Sequence, residues 1–174
     1  MIFEKENPVY LALGLLIERA KEIQNYMASS YRTENYKSFL NEFCTIKVCS
    51  ARRSGHSSAI AKYAVEEMAK GKDVIILSWT MRQSDLYTNM IRQFVKEEDI
   101  ELVKFTKYEF RTKSGSIILS SKGHGDFDRL RGLSCDYLLV DVACMWSKKD
   151  IKELYKVGGE CLRYRKNPII AFLE

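Results

Sequence analysis

Between residues 45 and 78 the chain passes through a β-branched stretch, Thr45-Ile46-Lys47-Val48-Cys49, a polar loop (50–56), a helix-forming segment (57–70) closed by Gly71, and a second apolar stretch (73–78). Two short strands separated by a helix cannot pair as a hairpin, so the second must return parallel to the first through a right-handed crossover. A parallel sheet persists only when helices cover both of its faces. That single unit therefore commits the chain to an α/β architecture.

The rest of the pattern extends the same plan. Asn7-Pro8 supplies a cap residue followed by proline at the first helical position, and Leu11, Leu15, Leu16, Ile23 and Met27 recur at helical spacing, predicting a helix over about 8–28. A short helix is expected over about 34–42, where Tyr36, Phe39, Leu40 and Phe43 cluster. A helix over about 81–95 leads to extended segments at 102–105, 108–112 and 116–121, the last two forming a β-hairpin around Lys113-Ser114-Gly115. A loop rich in Gly, Asp and Arg (122–134) precedes the apolar run Tyr137-Leu138-Leu139-Val140. A helix (147–164) and a strand (169–173) follow. No repeat, low-complexity tract or linker interrupts residues 1–174, so we expect one domain: an N-terminal helical segment (1–43) and an α/β core (44–174). Strands 45–49, 73–78, 137–141 and 169–173 are expected to lie parallel in one mainly parallel sheet with helices on both faces and the hairpin added.

Composition narrows the function classes. The longest apolar run, Val9 to Ile17, contains Gly14 and stops at Glu18-Arg19, well short of the ~20 residues that span a bilayer. The acidic Met1-Ile2-Phe3-Glu4-Lys5-Glu6 has no basic region leading into an apolar one, so no secretory signal and a reducing cytoplasm are expected. The five cysteines (Cys44, Cys49, Cys135, Cys144, Cys161) include no Cys-x-x-Cys pair, and only His56 and His124 are available to join them as soft ligands. They read as small buried hydrophobes rather than as a zinc or disulfide scaffold. The net charge is +5, with seven basic and three acidic side chains within 147–166. Such a surface accepts anionic partners without requiring them.

Two segments carry chemistry. The loop Ser50-Ala51-Arg52-Arg53-Ser54-Gly55-His56-Ser57-Ser58 joins a strand to a helix, the setting in which backbone N–H groups and a helix N-terminus cradle nucleotide phosphates. Its spacing matches G-x-x-x-x-G-K-[ST], with Ser50 at the first glycine and His56 at the lysine. Tyr137-Leu138-Leu139-Val140-Asp141-Val142 ends an apolar strand in a carboxylate at the sheet edge where α/β proteins bind ligands. Asp141 there either holds magnesium beside the loop serine, Ser57, or caps the turn beginning at Ala143.

These residues resemble the ATPase domain of the large terminase subunit of tailed phages and their relatives. The likeness runs in order through Ser50 to Ser57 (an arginine-containing phosphate loop), Leu77 to Ser84, the hairpin around Ser114-Gly115-Ser116, and Leu130-Arg131-Gly132 into the acidic strand ending at Asp141. It covers about residues 44–146. The resemblance implies ATP or ADP with Mg2+ as ligand, with Ser50, Arg52, Arg53, Ser54, Gly55, His56, Ser57 and Ser58 around the phosphates and Ser57 with Asp141 at the metal. It further implies Arg52 at the transferring phosphoryl group, DNA or a packaging or host protein as partner, and the host cytoplasm as location. No nuclease domain is expected within the chain.

Departures from the family's pattern fall on catalytic positions. His56 replaces the lysine of the Walker A motif, and Val142 replaces the glutamate that follows the Walker B aspartate and activates water. Imidazole is shorter than an alkylammonium and carries at most a fractional charge at neutral pH, and valine cannot move a proton at all. Each loss is worth on the order of 10² to 10⁴ in rate. The sequence thus points to a P-loop pseudoenzyme, with Arg52 and Asp141 as the only catalytic candidates. Two alternatives stay open. One is an active packaging ATPase in which His56 and a carboxylate from elsewhere, Asp126 or Asp128, replace the missing groups; His124, followed by these two carboxylates, reads either as a metal or general-base site or as ordinary loop chemistry. The other is a nucleotide-independent nucleic-acid binder using Lys104, Lys107, Arg111 and Lys113 with Tyr108 and Phe110. Tyr31, Tyr36 and Phe39 are candidates to stack on a base, and Trp79 and Trp146 to line the cleft.

Overall fold

The computed structural model describes residues 7–27, 32, 34–50, 55–122 and 127–174. Its elements are α1 (Pro8–Tyr26), α2 (Tyr36–Phe43), β1 (Thr45–Val48), α3 (His56–Ala69), β2 (Asp73–Ser78), α4 (Met81–Glu97), β3 (Lys104–Phe105), β4 (Glu109–Arg111), β5 (Ser116–Ser121), β6 (Tyr137–Val140), α5 (Lys148–Leu162) and β7 (Ile169–Leu173). Caps set several of these ends. The Asn7 side chain accepts from the Val9 N–H with Pro8 in the first turn, and Thr80 with Gln83 and Ser147 with Asp150 form reciprocal capping boxes on α4 and α5.

The strands build one sheet in the order β1-β7-β6-β2-β5-β4-β3. The first five run parallel, in registers such as Val48 with Leu173, Val140 with Phe172 and Ile76 with Leu139, while β4 and β3 are antiparallel additions at the far edge. The fold is thus a mainly parallel α/β sheet with an added hairpin, as the alternating pattern requires.

Strand period sorts the core into two layers. Val74, Ile76, Tyr137, Leu139, Ile169 and Ala171 face α1, α3 and α4, whereas Ile75, Leu77, Leu138, Val140, Ile170 and Phe172 face α2 and α5. Each fully buried aliphatic side chain contributes about 1.5–3 kcal/mol relative to exposure. At the N-terminal edge of the sheet the Arg165 guanidinium reaches Asp73 at 2.6 Å and Asp136 at 3.3 Å, and Ser116 donates to Asp73 at 2.7 Å. That clasp ties β2, β5, β6 and the approach to β7 together.

Helix α1 turns a different face inward from the one its leucines suggest. Val9, Leu13, Ile17, Ala20 and Gln24 are buried, and Leu11, Leu15, Leu16 and Ile23 remain exposed, Leu15 by 73%. The helix is apolar on more than one side. The inward side is the one on which Gln24 donates from its amide to the carbonyls of Phe43 and Pro168, at 3.0 and 3.1 Å. Two further expectations are corrected. Strand β6 stops at Val140, so Asp141 lies just past its end, and Cys49 and Cys144 are exposed, leaving Cys44, Cys135 and Cys161 as the buried thiols.

Candidate functional site

Strand β7 lies between β1 and β6, so the loop leaving β1 and the carboxylate ending β6 emerge from the same sheet edge two strands apart. Strand spacing alone would leave them roughly 10 Å apart. The first turn of α3 spans that gap, since Ser57 there lies within hydrogen-bond reach of Asp141 just past β6.

The turn into α3 is made by Gly55, with φ +86°, in the left-handed region that glycine adopts without strain. Asn7 donates from its amide to the Gly55 carbonyl at 2.9 Å, and a Cβ on Gly55 would lie 2.6 Å from that amide nitrogen. Thus the residue that caps α1 also seats the loop. Among the described residues no side chain caps α3, which suits an N-terminus that presents its first N–H groups to an anion. His56 opens the helix and its Nε2 is hydrogen-bonded to the Ser50 hydroxyl. Ser58 is half-buried in the first turn. Arg52, Arg53 and Ser54 lie outside the described residues, as do Tyr31, His124 and Asp126 and the side chain of Asp128.

Ser57 donates from its hydroxyl to Asp141 Oδ2 at 3.3 Å. The same oxygen accepts the Tyr87 hydroxyl at 2.7 Å, and the Val142 N–H donates to Oδ1 at 2.9 Å. The backbone of Asp141 is held as firmly, its N–H donating to the Leu77 carbonyl at 2.9 Å and its carbonyl accepting the Trp146 indole N–H at 3.1 Å. Asp141 is 1% exposed. Burial raises its carboxyl above the ordinary value, against the pull of Tyr87, the Val142 N–H, Ser57 and His56. Burial likewise pushes the Tyr87 phenol well above its usual range, helped by the Asp141 charge, so this hydroxyl remains a donor.

Asp141 is not a helix cap. Val142 occupies the cap position of the Ala143–Met145 turn and no side chain bonds there. Val142 sits at φ 53°, ψ 49°, a conformation unusual for a β-branched residue and the kind of local strain that collects at functional sites.

Tyr87 is the site residue that pattern reading missed. It lies on the buried stripe of α4 with Ser84, Thr88, Ile91 and Val95. The two small hydroxyl residues on that stripe are a signal of a polar partner beneath: Ser84 and Ser78 share a 2.7 Å hydrogen bond, and Thr88 donates to the Lys107 carbonyl at 2.7 Å. Trp146 is buried with its indole on the Asp141 carbonyl, and Trp79 is half-buried against it with ring centroids 5.5 Å apart, so Trp146 backs the site and Trp79 packs behind it. Tyr36 is half-buried with its hydroxyl on the Gly159 carbonyl, and Phe39 is core, so neither opens onto this site.

The basic strip of the hairpin is spent on internal pairs. Lys104 and Arg111 reach Glu109 at 2.6 and 2.9 Å, Lys107 reaches Asp85 at 2.8 Å, and Lys113 is 3.9 Å from Glu101. Phe110 is buried and Tyr108 half-buried. Among the described residues no group of three or more His, Cys, Asp or Glu side chains gathers as a metal site. The hard oxygens of Ser57 and Asp141 at the mouth of α3 nevertheless suit magnesium, which takes few protein ligands and completes its shell with water and phosphate.

In fold, the chain is similar to the ATPase domain of phage large terminases. It superposes on the large terminase of bacteriophage HK97 with a TM-score of 0.59 at 13% identity, over 85% of this chain and 33% of that one. It superposes on the large terminase ATPase domain of Thermus phage P74-26 with a TM-score of 0.54 at 16% identity, over 75% and 58%. The large terminase of the thermophilic bacteriophage D6E in complex with ADP matches with a TM-score of 0.55 at 8% identity, over 82% and 37%. In sequence it is 23% identical over 129 residues to an uncharacterized 25.0 kDa protein of Enterobacteria phage T4 encoded in the regB-denV intergenic region, a match covering 74% of this chain and 56% of that protein. The chain therefore spans between a third and three-fifths of the length of these relatives. No protein-family model matches it.

Proposed function

We propose that this chain is a nucleotide-binding module of phage DNA packaging or phage DNA metabolism, with a terminase-like phosphate loop that has lost efficient hydrolysis. The observation that carries this reading is the 3.3 Å approach of Ser57 to Asp141 at the start of α3, with His56 and Val142 beside them. In this reading Ser50, Arg52, Arg53, Ser54, Gly55, His56, Ser57 and Ser58 would form the phosphate site for ATP or ADP, with Arg52 the candidate to stabilise the transferring group. Ser57 and Asp141 are the residues that would hold Mg2+. A metal ion held there would supply positive charge against the phosphates.

What is missing is charge where it develops in the transition state. Neither imidazole at 56 nor valine at 142 replaces an ammonium and a carboxylate, so binding is weak and turnover negligible. A domain of this kind acts as a switch or platform for DNA or for a packaging or host protein in the host cytoplasm. The D6E terminase was solved with ADP, which supports a nucleotide as the ligand of this fold. The hairpin alternative loses support from the pairing of its cations.

Calorimetric titration of ATP and ADP with and without Mg2+, together with a hydrolysis assay, tests this reading. We expect weak, Mg2+-dependent binding and a rate near background. His56→Lys with Val142→Glu is expected to gain both affinity and turnover. Hydrolysis by the unaltered chain near ~1 s⁻¹ would establish an active ATPase instead. Absence of binding by both proteins would remove nucleotide from its function.

A further inference from the structure

A second feature lies on the α2 and α5 side of the sheet, away from the phosphate loop. A groove of about 1090 Å³ runs between these two helices. Its floor is apolar, formed by Tyr36, Leu40, Ile151 and Tyr155. Gly159 lets the helices approach closely, since a Cβ there would lie 3.1 Å from Leu40 Cδ2. The rim carries Lys37, Lys148, Lys149, Lys152, Lys156 and Arg163.

Lys148, Lys152 and Lys156 recur every four residues, so they form one stripe along α5. Among the described residues none of these lysines makes an ion pair. The neighbouring acids are already engaged, Asp150 by Lys122 at 2.6 Å and Glu153 by Arg131 at 3.8 Å. Glu160 is left as the rim carboxylate outside those pairs, and the groove keeps a clear positive excess.

We infer that this groove docks an acidic amphipathic helix of a partner protein. A ligand here must offer apolar anchors to the floor and negative charge to both rims. A helix with anchors at i, i+3 or i+4 and i+7 and acids on its flanks does so. The 15 residues of α5 give the groove about 22 Å of length, enough for about four turns. Single-stranded nucleic acid fits less well, because it gains affinity by stacking bases on open ring faces. Arg163 already lies over the Tyr36 ring, and the two tyrosine hydroxyls are tied down, Tyr36 to the Gly159 carbonyl at 2.8 Å and Tyr155 to Thr45 Oγ1 at 3.2 Å. The proposal stands apart from the nucleotide reading, since no groove residue belongs to the loop or to Asp141.

The probe is a capped 16-residue peptide with leucine at positions 2, 5, 6, 9 and 13 and glutamate and alanine elsewhere, labelled for fluorescence anisotropy. Its controls are a peptide of the same composition in scrambled order and a 20-nucleotide DNA single strand. We expect the patterned peptide to bind the full chain with and without ADP, about tenfold more tightly than the scrambled one. Lys152→Glu with Lys156→Glu, both exposed positions, should leave the circular-dichroism melt unchanged and weaken the peptide at least about tenfold. Equal binding of patterned and scrambled peptides would overturn the proposal, as would tighter binding of the DNA strand, unchanged affinity in the double variant, or no binding up to about 1 mM peptide.

Discussion

Tyr87→Phe isolates the contact that makes the buried aspartate tolerable. Tyr87 is 0% exposed and Asp141 1% exposed, and their 2.7 Å hydrogen bond reaches an oxygen whose other hydrogen bond among the described residues is the 3.3 Å contact to Ser57. Phenylalanine keeps the ring, so no cavity forms and the loss is the hydrogen bond alone. A bond from a neutral donor to a buried carboxylate is worth about 1.5–3 kcal/mol, and we expect about 2 kcal/mol of destabilisation at neutral pH. In a domain of this size that lowers Tm by about 4–8 °C. The sign with pH follows from the raised carboxyl of Asp141. Its stabilising share is fully present below the ordinary value of 3.8 and is lost as pH rises through the folded-state value. Removing Tyr87 takes away a donor that favours the ionised form and raises that value further. The gap between wild type and Tyr87→Phe must therefore widen as pH rises through the acid range. Urea unfolding of wild type, Tyr87→Phe, Asp141→Asn and the double variant at neutral pH and near pH 3 gives the coupling at both ends. A cost below about 0.5 kcal/mol, within the range of inert surface changes, would refute the reasoning. So would a coupling that is equal at the two pH values.

Other perturbations address other joints of the structure. Arg165→Met leaves Asp73 and Asp136 facing each other with Lys72 3.6 Å away as the nearest remaining cation, and should cost about 2 kcal/mol in guanidinium unfolding. Gly55→Ala places a methyl group 2.6 Å from the Asn7 amide at φ +86°, so a loss of at least about 1–2 kcal/mol is expected in thermal melts, part of it recovered when Asn7→Ala removes the collision. On α1, Leu13→Ala should cost about 2–5 kcal/mol and Leu15→Glu less than about 0.5 kcal/mol. The reverse ranking would mean that the leucine stripe, not the Val9-Leu13-Ile17 face, is buried.

Much of this fold is legible in the sequence because its signals are local. The β-branched run, the glycine after a helix and the unbroken apolar strands each follow from nearest-neighbour chemistry, and element bounds agree within a few residues. The orientation of α1 was not legible. A helix apolar on several sides leaves its rotation to the surface it meets, and the deciding contacts are polar ones from Gln24 to Phe43 and Pro168, the latter 144 positions away. The same limit hid Tyr87. Its partner Asp141 is 54 residues distant, and nothing in the spacing of α4 distinguishes a tyrosine that packs from one that donates to a carboxylate. Ser57 and Asp141 stand out in the sequence through local motif spacing, whereas Tyr87 answers only to three-dimensional proximity.

Asp141 also has a structural reason to stand where it does. Ser57, Tyr87, the Val142 N–H, the Leu77 carbonyl and the Trp146 indole all converge on it, linking α3, α4, β2 and the turn after β6. Such a knot stabilises the sheet edge whether or not nucleotide is bound, because a partly satisfied buried carboxylate is worse than a fully satisfied one. Its presence is therefore compatible with both an active and an inactive site, and the discriminating positions are those with no such duty. His56 bonds to the Ser50 hydroxyl, outside the knot. Val142 contributes its backbone N–H, which any residue but proline provides, and holds a strained left-handed conformation that a β-branched side chain makes worse. The fold asks nothing of these two side chains that lysine and glutamate would fail to give, so their identities bear on the chemistry of the site far more than on its architecture.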